Sequence, residues 1–129
     1  MTTLIIIPTK SVNDIEFGVS RAAVEASFGQ PAKTFKKTKW SKSTTADYGD
    51  FHVYYDTDGA FEAVEIFDAE VDLPSGMLSI PANEDAVRKT IQSLKADEYG
   101  LTSTTESVGA SLENGMIIAI LFGKTGYYA

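Results

Sequence analysis

The sequence predicts an α+β protein in which an antiparallel sheet has helices packed on one face. Three observations predict this fold. There are two short amphipathic segments with helix-capping residues, and there are two pairs of segments with alternating apolar residues, each pair joined by an Xxx-Gly turn. The third observation is that a helix is followed by such a pair twice in the same order. The 129 residues, 43% of them hydrophobic and 22% charged, are enough for one domain with its own core. We therefore expect a single domain over residues 1–129, built from two tandem helix-plus-hairpin units, 1–72 and 73–129.

Both predicted helices have a recognisable beginning. Ser20 can cap a helix over Arg21–Phe28, and Gly29-Gln30-Pro31 can end it. The second helix is predicted to begin at residues 83–85, where Glu and Asp complement the positive end of the helix dipole. Its apolar positions continue far enough for the helix to reach about residues 96–99. Both helices are apolar on one side only, so each is expected to cover a sheet.

A hairpin is predicted after each helix. Asp-Gly and Asn-Gly pairs occupy the two turns, and both favour hairpins because glycine tolerates a positive φ. The hairpins pair Phe51–Tyr55 with Phe61–Phe67 around Asp58-Gly59, and Val108–Leu112 with Met116–Phe122 around Asn114-Gly115. The last of these strands is apolar on both faces, which predicts a central strand or one that is covered on both sides.

Leu4–Ile7 is the only apolar run near the beginning of the chain. Four residues are too few for the core of a signal peptide, which needs about seven, or for a membrane span, which needs about twenty. We therefore expect a short buried strand there, and a cytoplasmic protein that does not contact membranes.

Charge is distributed unevenly along the chain. The protein carries 18 acidic and 11 basic side chains, a formal charge of −7, which disfavours binding to nucleic acids. Residues 32–42 contain five lysines and Trp40 but no acid, whereas residues 43–87 contain eleven acids and no Lys or Arg. Such an acidic stretch can attract a basic partner, and it is also typical of a solvated hairpin.

The sequence offers little for catalysis. The absence of cysteine excludes disulfides, thiol nucleophiles and Cys-based zinc sites. His52, the single histidine, lies in a predicted strand without a nucleophile motif beside it, and neither glycine-rich phosphate motif occurs. Residues 56–59 resemble part of a calcium loop, but Tyr54 occupies the first ligand position, so we interpret them as a β-turn. We predict no enzyme activity, no cofactor and no metal.

The first hairpin carries the candidate binding residues. A turn centred on Asp58-Gly59 gives it a core face of Phe51, Val53, Tyr55, Val64 and Ile66. The opposite face then carries His52, Tyr54, Phe61, Glu65 and Phe67. Aromatic side chains anchor protein partners and charges steer them, so this face is expected to bind a protein unless another part of the chain covers it; an odd-length loop would exchange the two faces. The predicted partner-binding residues are Tyr54, Phe61, Glu62, Glu65, Phe67 and Asp68.

The first half of the chain also resembles known families. Phe17-Gly18-Val19-Ser20, followed by Val24 and by Phe28-Gly29-Gln30-Pro31, is similar to the opening of the small outer-membrane assembly lipoproteins and of the β-lactamase-inhibitor proteins. The resemblance covers about residues 15–67 and implies helices on an antiparallel sheet, in a unit that occurs twice in the inhibitor group. The acidic hairpin and the ending Gly123–Tyr128 resemble more closely a family of small bacterial cytosolic proteins. Similar acidic proteins include immunity proteins to secreted toxins.

The sequence thus predicts a non-enzymatic protein-binding module of the immunity or inhibitor type, with an acidic face for a basic partner. Two alternatives stay open. One is a small-ligand-binding protein or enzyme with a pocket between sheet and helices, where His52 and a hairpin carboxylate supply the polar groups. The other is a structural or oligomerisation unit without a ligand.

Overall fold

Strands dominate the fold. The computed structural model describes residues 2–36, 38–40, 43–98 and 100–128, and these form fourteen strands in two sheets together with two short helices. In chain order the elements are β1 (Thr3–Ile7), β2 (Ser11–Val12), β3 (Ile15–Glu16), α1 (Arg21–Phe28), β4 (Lys33–Phe35), β5 (Thr45–Asp47), β6 (Phe51–Tyr55), β7 (Phe61–Ile66), β8 (Ala69–Leu73), β9 (Gly76–Ile80), β10 (Ala82–Asn83), α2 (Glu84–Thr90), β11 (Lys95–Asp97), β12 (Gly100–Ser103), β13 (Val108–Glu113) and β14 (Met116–Gly123). Sheet therefore outweighs helix far more than the α+β prediction implies.

The larger sheet is antiparallel throughout and contains both predicted hairpins. Its strands lie in the order β11-β12-β13-β14-β7-β6-β5-β4, and β10 pairs with the beginning of β14. The second strands of the two hairpins, β7 and β14, pair with each other in the middle, so β14 has the central position that was one of the two predicted for it. The turns use the expected residues, since φ is 83° at Gly59, 51° at Asn114 and 79° at Gly115.

A second sheet, which the sequence analysis did not predict, has the order β3-β2-β1-β8-β9. Its β1 pairs in parallel with β8, which follows the first hairpin in the chain. Alternation along β1 buries Leu4 and Ile6 but leaves Ile5 and Ile7 51% and 37% exposed. The predicted buried strand is therefore buried on one face only.

The hydrophobic core lies between the two sheets. Side chains such as Leu4 and Val71 from the small sheet belong to the same buried cluster as Val53, Val64 and Phe122 from the large sheet. Each sheet consequently has one face toward this core and one face away from it. We call the side of the large sheet that faces away from the core the outer face.

The first helix has the predicted boundaries. The Ser20 hydroxyl accepts a hydrogen bond from the backbone N–H of Ala23 at 3.2 Å, and Gly29 ends the helix at a positive φ of 83°. Within α1 only Val24 is fully buried. Phe28, at the end of the helix, is half-buried and packs against the core with its ring 5.2 Å from that of Phe51. These two side chains of a single eight-residue helix do not amount to the predicted helical layer over the sheet.

The second helix is shorter than predicted. It begins after Asn83, whose side chain accepts the backbone N–H of Asp85 at 2.8 Å, but it ends at Thr90. Residues 95–97, to which the helix was predicted to extend, instead form the edge strand β11, because their backbone pairs with β12. Val87 is the buried side chain of α2.

Candidate functional site

One row of residues crosses the outer face from edge to edge of the large sheet. Each of its members is the cross-strand partner of the next, and their chain neighbours Val53, Val64 and Phe122 point into the core. From β4 to β11 this central row consists of Lys33, Asp47, His52, Glu65, Leu121, Gly109, Thr102 and Lys95. It confirms that His52 and Glu65 share a face, and it links them to the second hairpin.

Aromatic side chains flank the β4 to β7 half of the central row. The imidazole of His52 lies between the rings of Phe35 and Phe67, with ring-centroid distances of 5.4 and 4.7 Å, and both contacts are edge-to-face. The Nε2 atom of His52 lies 3.5 Å from Asp47 Oδ1. We call Phe35, His52 and Phe67 the aromatic row. It is solvent-accessible, since Phe35 is 38% exposed and Phe67 is half-buried.

Tyr54 lies on the outer face as predicted, but it is not available as a surface anchor. Its hydroxyl donates a hydrogen bond to Glu65 Oε1. Its ring packs in a small cluster with Leu121 and with the C-terminal Tyr127 and Tyr128. Burial above all, and then the bond to Glu65, raise the pKa of Tyr54 well above its ordinary value. The prediction of Tyr54 as a partner-binding residue is therefore wrong, because a distant part of the chain covers it.

Phe61 is a second correction. Tyr54 pairs with Ala63 while the next residue, Tyr55, pairs with Phe61, so Glu62 is an extra residue in a β-bulge. The bulge turns Phe61 to the core face, where it is fully buried at 4.8 Å from the ring of Phe17. The alternation assumed for an unbroken strand placed it on the opposite face.

The remaining predicted residues lie at different places along the first hairpin. Glu62 lies 3.8 Å from Lys124 Nζ, which is also 3.6 Å from Asp56. Asp68 is exposed in the turn between β7 and β8. Glu65 and Phe67 are thus the predicted residues that the fold places directly beside His52.

The eleven acids of residues 43–87 do not form one surface. Asp47 and Glu65 lie on the outer face of the large sheet. Glu70 and Asp72 alternate with buried residues of β8, so they face away from the core on the opposite side of the molecule. Glu84 is paired with Arg88 within α2 at 2.8 Å. The acidic stretch therefore contributes to several surfaces and not to one, because it runs through both sheets.

The structure describes only some of the lysines of the lysine-rich segment 32–42. Lys37 and Lys42 lie outside the described residues. Lys33 is 3.8 Å from Asp47, and Lys39 lies 4.6 Å from the centroid of the exposed Trp40 ring. Lys33 therefore pairs within the molecule, and the absence of nucleic-acid binding stays a prediction.

The C-terminal tyrosines are functional candidates that the sequence analysis missed. A Cβ added to Gly109 would lie 2.1 Å from the Tyr128 hydroxyl oxygen, and one added to Gly123 would lie 2.7 Å from Tyr127 Cβ. The two rings meet edge-to-face at 5.1 Å. The sequence signal that could have revealed this contact is the presence of Gly109 within a predicted strand and of Gly123 directly after one, because glycine in a strand often marks the close approach of another part of the chain. Phe35 was missed because β4 lies in the lysine-rich segment 32–42, in which no strand was predicted.

None of four pockets formed by described residues has the predicted lining of His52 together with a hairpin carboxylate. Of these, two open at the β11–β14 end of the large sheet and two open beside the β1–β2 turn, and His52 lines none of the four.

The segment that resembles part of a calcium loop forms a turn closed by its own backbone. The Asp56 carboxylate accepts hydrogen bonds from the backbone N–H groups of Asp58 and Ala60, both at 2.9 Å. These two hydrogen bonds lower the pKa of the Asp56 carboxyl, and the bond from Ala60 has the larger effect. Within the described ranges, no three His, Asp or Glu side chains cluster as a metal site would require.

Comparison of the chain with protein-family models, with curated proteins and with solved structures finds no match. The resemblance of residues 15–67 to the lipoprotein and inhibitor families therefore stays a prediction. In the part of the chain that the structure describes, no helix has the length and apolar character needed to cross a membrane.

Proposed function

We propose that the protein is a non-enzymatic protein-binding module whose binding surface is the β4 to β7 half of the outer face. The aromatic row carries this proposal. Phe35, His52 and Phe67 are held against one another in a fixed geometry and stay accessible, which is the arrangement of anchor residues in protein interfaces.

The partner that this surface fits best is basic. Asp47 and Glu65 are the immediate neighbours of His52 in the central row, and the exposed Asp68 follows Phe67 in the chain. Lys33 is the one basic residue of the row in this half of the sheet. Aromatic anchors surrounded by carboxylates favour Arg and Lys side chains, which stack on rings and pair with acids. An immunity or inhibitor role is the concrete form of this function.

We also infer that the two halves of the large sheet are tandem copies of one unit. A helix precedes four antiparallel strands in each half, α1 before β4–β7 and α2 before β11–β14. The sheet order is symmetric about the β7–β14 pair, which joins the two halves. This symmetry supports the predicted units 1–72 and 73–129, and it gives both halves a share of the same outer face.

Affinity capture with the full tagged chain, in a lysate of its own host, tests the binding function. We expect one stoichiometric basic protein whose capture decreases at high salt and is lost with Phe67→Ala or Asp68→Lys. Matched controls lie on the outer side of the small sheet, where Met77→Ala and Asp72→Lys change the same chemistry on the opposite side of the molecule. Capture that survives both Phe67→Ala and Asp68→Lys, or that the control variants abolish equally, would contradict the proposal.

A further inference from the structure

Residues 124–128 follow β14 and fold back over the outer face of the large sheet, and we call them the strap. Tyr127 packs on Gly123 and Tyr128 packs on Gly109, so closely that a Cβ on either glycine would collide with the tyrosine above it. The two rings also contact each other edge-to-face at 5.1 Å. Each glycine is therefore a seat for one aromatic ring.

The strap covers an apolar area that adjoins the proposed binding surface. Ala63 and Leu121 belong to the cluster on which the two tyrosines pack, and their exposed fractions are 0% and 8%. Leu121 is the cross-strand partner of Glu65, and Glu65 is the cross-strand partner of His52 in the aromatic row. With the strap lifted, the binding surface would continue from the aromatic row across β7 to β14.

The strap is held to the sheet by its first residue and by its two rings. Lys124 donates its backbone N–H to the Glu62 carbonyl at 2.9 Å and pairs with Thr9 in an isolated bridge. Further along, the Tyr127 N–H donates to the Lys124 carbonyl at 3.0 Å, which is a bond within the strap. In the part of the chain that the structure describes, no hydrogen bond joins residues 126–128 to the large sheet. The outer part of the strap can therefore lift away while β14 keeps its pairing with β7 and β13.

The strap itself carries the chemistry that the proposed surface selects. The Lys124 ammonium lies 3.6 Å from Asp56 and 3.8 Å from Glu62, and the two tyrosine rings follow it in the chain. A basic side chain paired with hairpin carboxylates, with aromatic rings beside it on the sheet, is what we expect of the bound partner. A partner of this kind that extends from the aromatic row over β14 would need the area that the strap occupies.

We propose that the strap is a displaceable cover of the binding surface, and that the partner takes its place. A partner segment with Lys or Arg beside an aromatic residue then puts its cation against Asp56 and Glu62 and its ring on the seat at Gly123 or Gly109. The chemistry of the partner rests on the proposed function, whereas the opening of the strap does not. Because only molecules with a lifted strap accept the partner in this way, closure weakens binding in proportion to the fraction that is open.

Thiol labelling of the full chain tests whether the strap opens. The protein contains no cysteine, so one introduced thiol reports the exposure of its own position. Leu121→Cys puts a thiol beneath the strap, and Val64→Cys puts one in the core between the sheets. We expect iodoacetamide to reach position 121 through local opening at a rate that low urea does not change, and position 64 only through global unfolding, which urea favours. Equal urea dependence at both positions would overturn the proposal, because the strap would then leave the sheet only when the protein unfolds.

Two double variants separate the rings from the rest of the strap. Tyr127→Ala/Tyr128→Ala removes both rings, and Tyr127→Phe/Tyr128→Phe keeps them as the matched control. A minor open state is populated at about 10% or less, so removing the rings should accelerate labelling at position 121 at least about tenfold, and the Phe variant should label like the wild type. Ala63→Cys, under the same rings, is a second reporter should Leu121→Cys disturb β14. Labelling that the Ala variant does not accelerate would show that the rings are not a cover.

Affinity capture with the same two double variants tests the competition with the partner. We expect the Ala variant to bind the partner captured by the wild-type chain at least about tenfold more tightly, because no strap has to be displaced. The Phe variant should match the wild type. Equal or weaker capture by the Ala variant would overturn the competition. If neither the wild type nor the Ala variant captures a basic protein, the proposed function fails and the competition with it, while thiol labelling still decides whether the strap opens.

Discussion

The ring of Tyr128 lies directly over Gly109, at a distance that leaves no room for a side chain on β13. A Cβ at position 109 would come within 2.1 Å of the tyrosine hydroxyl oxygen and 2.5 Å of Cζ. Through this contact Tyr128, together with Tyr127, covers Tyr54 and Leu121 and lines one of the pockets at the β11–β14 end of the large sheet. Gly109, together with Gly123 beneath Tyr127, therefore allows these two tyrosines to cover this part of the outer face.

Gly109→Ala is expected to displace Tyr128 from the sheet without unfolding the protein. The atoms in conflict are at the far end of the Tyr128 side chain, so the ring can rotate away from the new methyl group. We expect the free energy of unfolding to fall by about 1–3 kcal/mol, which is typical of overpacking. Urea unfolding followed by circular dichroism measures it.

A double-mutant cycle with Tyr128→Ala identifies the cause of that loss. Without the ring there is nothing for the new methyl group to meet, so Gly109→Ala should then cost less than about 0.5 kcal/mol. An equal cost in both backgrounds would show that the glycine is needed for its backbone and not for the tyrosine.

Stability is expected to fall between about pH 10 and pH 12. Burial raises the pKa of Tyr55 and of Tyr128 to about 12, and that of Tyr54 further, whereas an unfolded tyrosine titrates near 10. Above pH 10 the unfolded state loses these protons first, so the folded state binds more protons and the free energy of unfolding decreases with pH. Below pH 10 both states are protonated and these groups add no pH dependence.

Urea unfolding at pH 8, 10 and 11, with tyrosinate absorbance recorded in parallel, measures this effect. Tyr128→Phe removes one titrating hydroxyl and should make the decrease shallower. A decrease of the same slope in that variant would mean that Tyr128 titrates normally.

The local elements were predictable from the sequence because short-range chemistry determines them. The Ser20 cap and the Asp-Gly and Asn-Gly turns depend on residues a few positions apart, and the structure has the first helix and both hairpins where these predict them. Phe61 was misplaced because the bulged residue Glu62, which follows it in the chain, reverses the alternation on its N-terminal side, and no local pattern marks the bulge. The cover over Tyr54 comes from Tyr127 and Tyr128, more than seventy residues further along the chain. Pairing at that range is not encoded in any local pattern.

Phe61 and Phe67 provide a direct test of the corrected hairpin. Phe61 is fully buried between the sheets, so Phe61→Ala should destabilise the protein by about 3–5 kcal/mol. Phe67 is half-buried on the outer face beside His52, and Phe67→Ala should cost only about 1 kcal/mol. Urea unfolding of both variants checks the difference. Similar costs, or the reverse order, would place Phe61 on the outer face and contradict the bulge.

Hydrogen exchange is expected to be slowest where the two halves of the large sheet meet. β7 and β14 pair in the middle of the sheet, and their inward side chains Val64, Ile66, Ile120 and Phe122 are all fully buried. β4 and β11 are three-residue strands at the two edges, and all of their residues are exposed. Backbone amides of the β7–β14 pair should therefore exchange only through global unfolding, whereas those of β4 and β11 should exchange through local opening that costs little free energy. Native-state hydrogen exchange, measured by NMR at several low urea concentrations, separates these two routes of exchange. Only amides that exchange through global unfolding have a free energy of opening that decreases with urea as steeply as the free energy of unfolding. If the two tandem units fold together through this pair, the amides of β7 and β14 should share one free energy of opening. A free energy of opening for β14 well below that of β7 would mean that the two halves open independently.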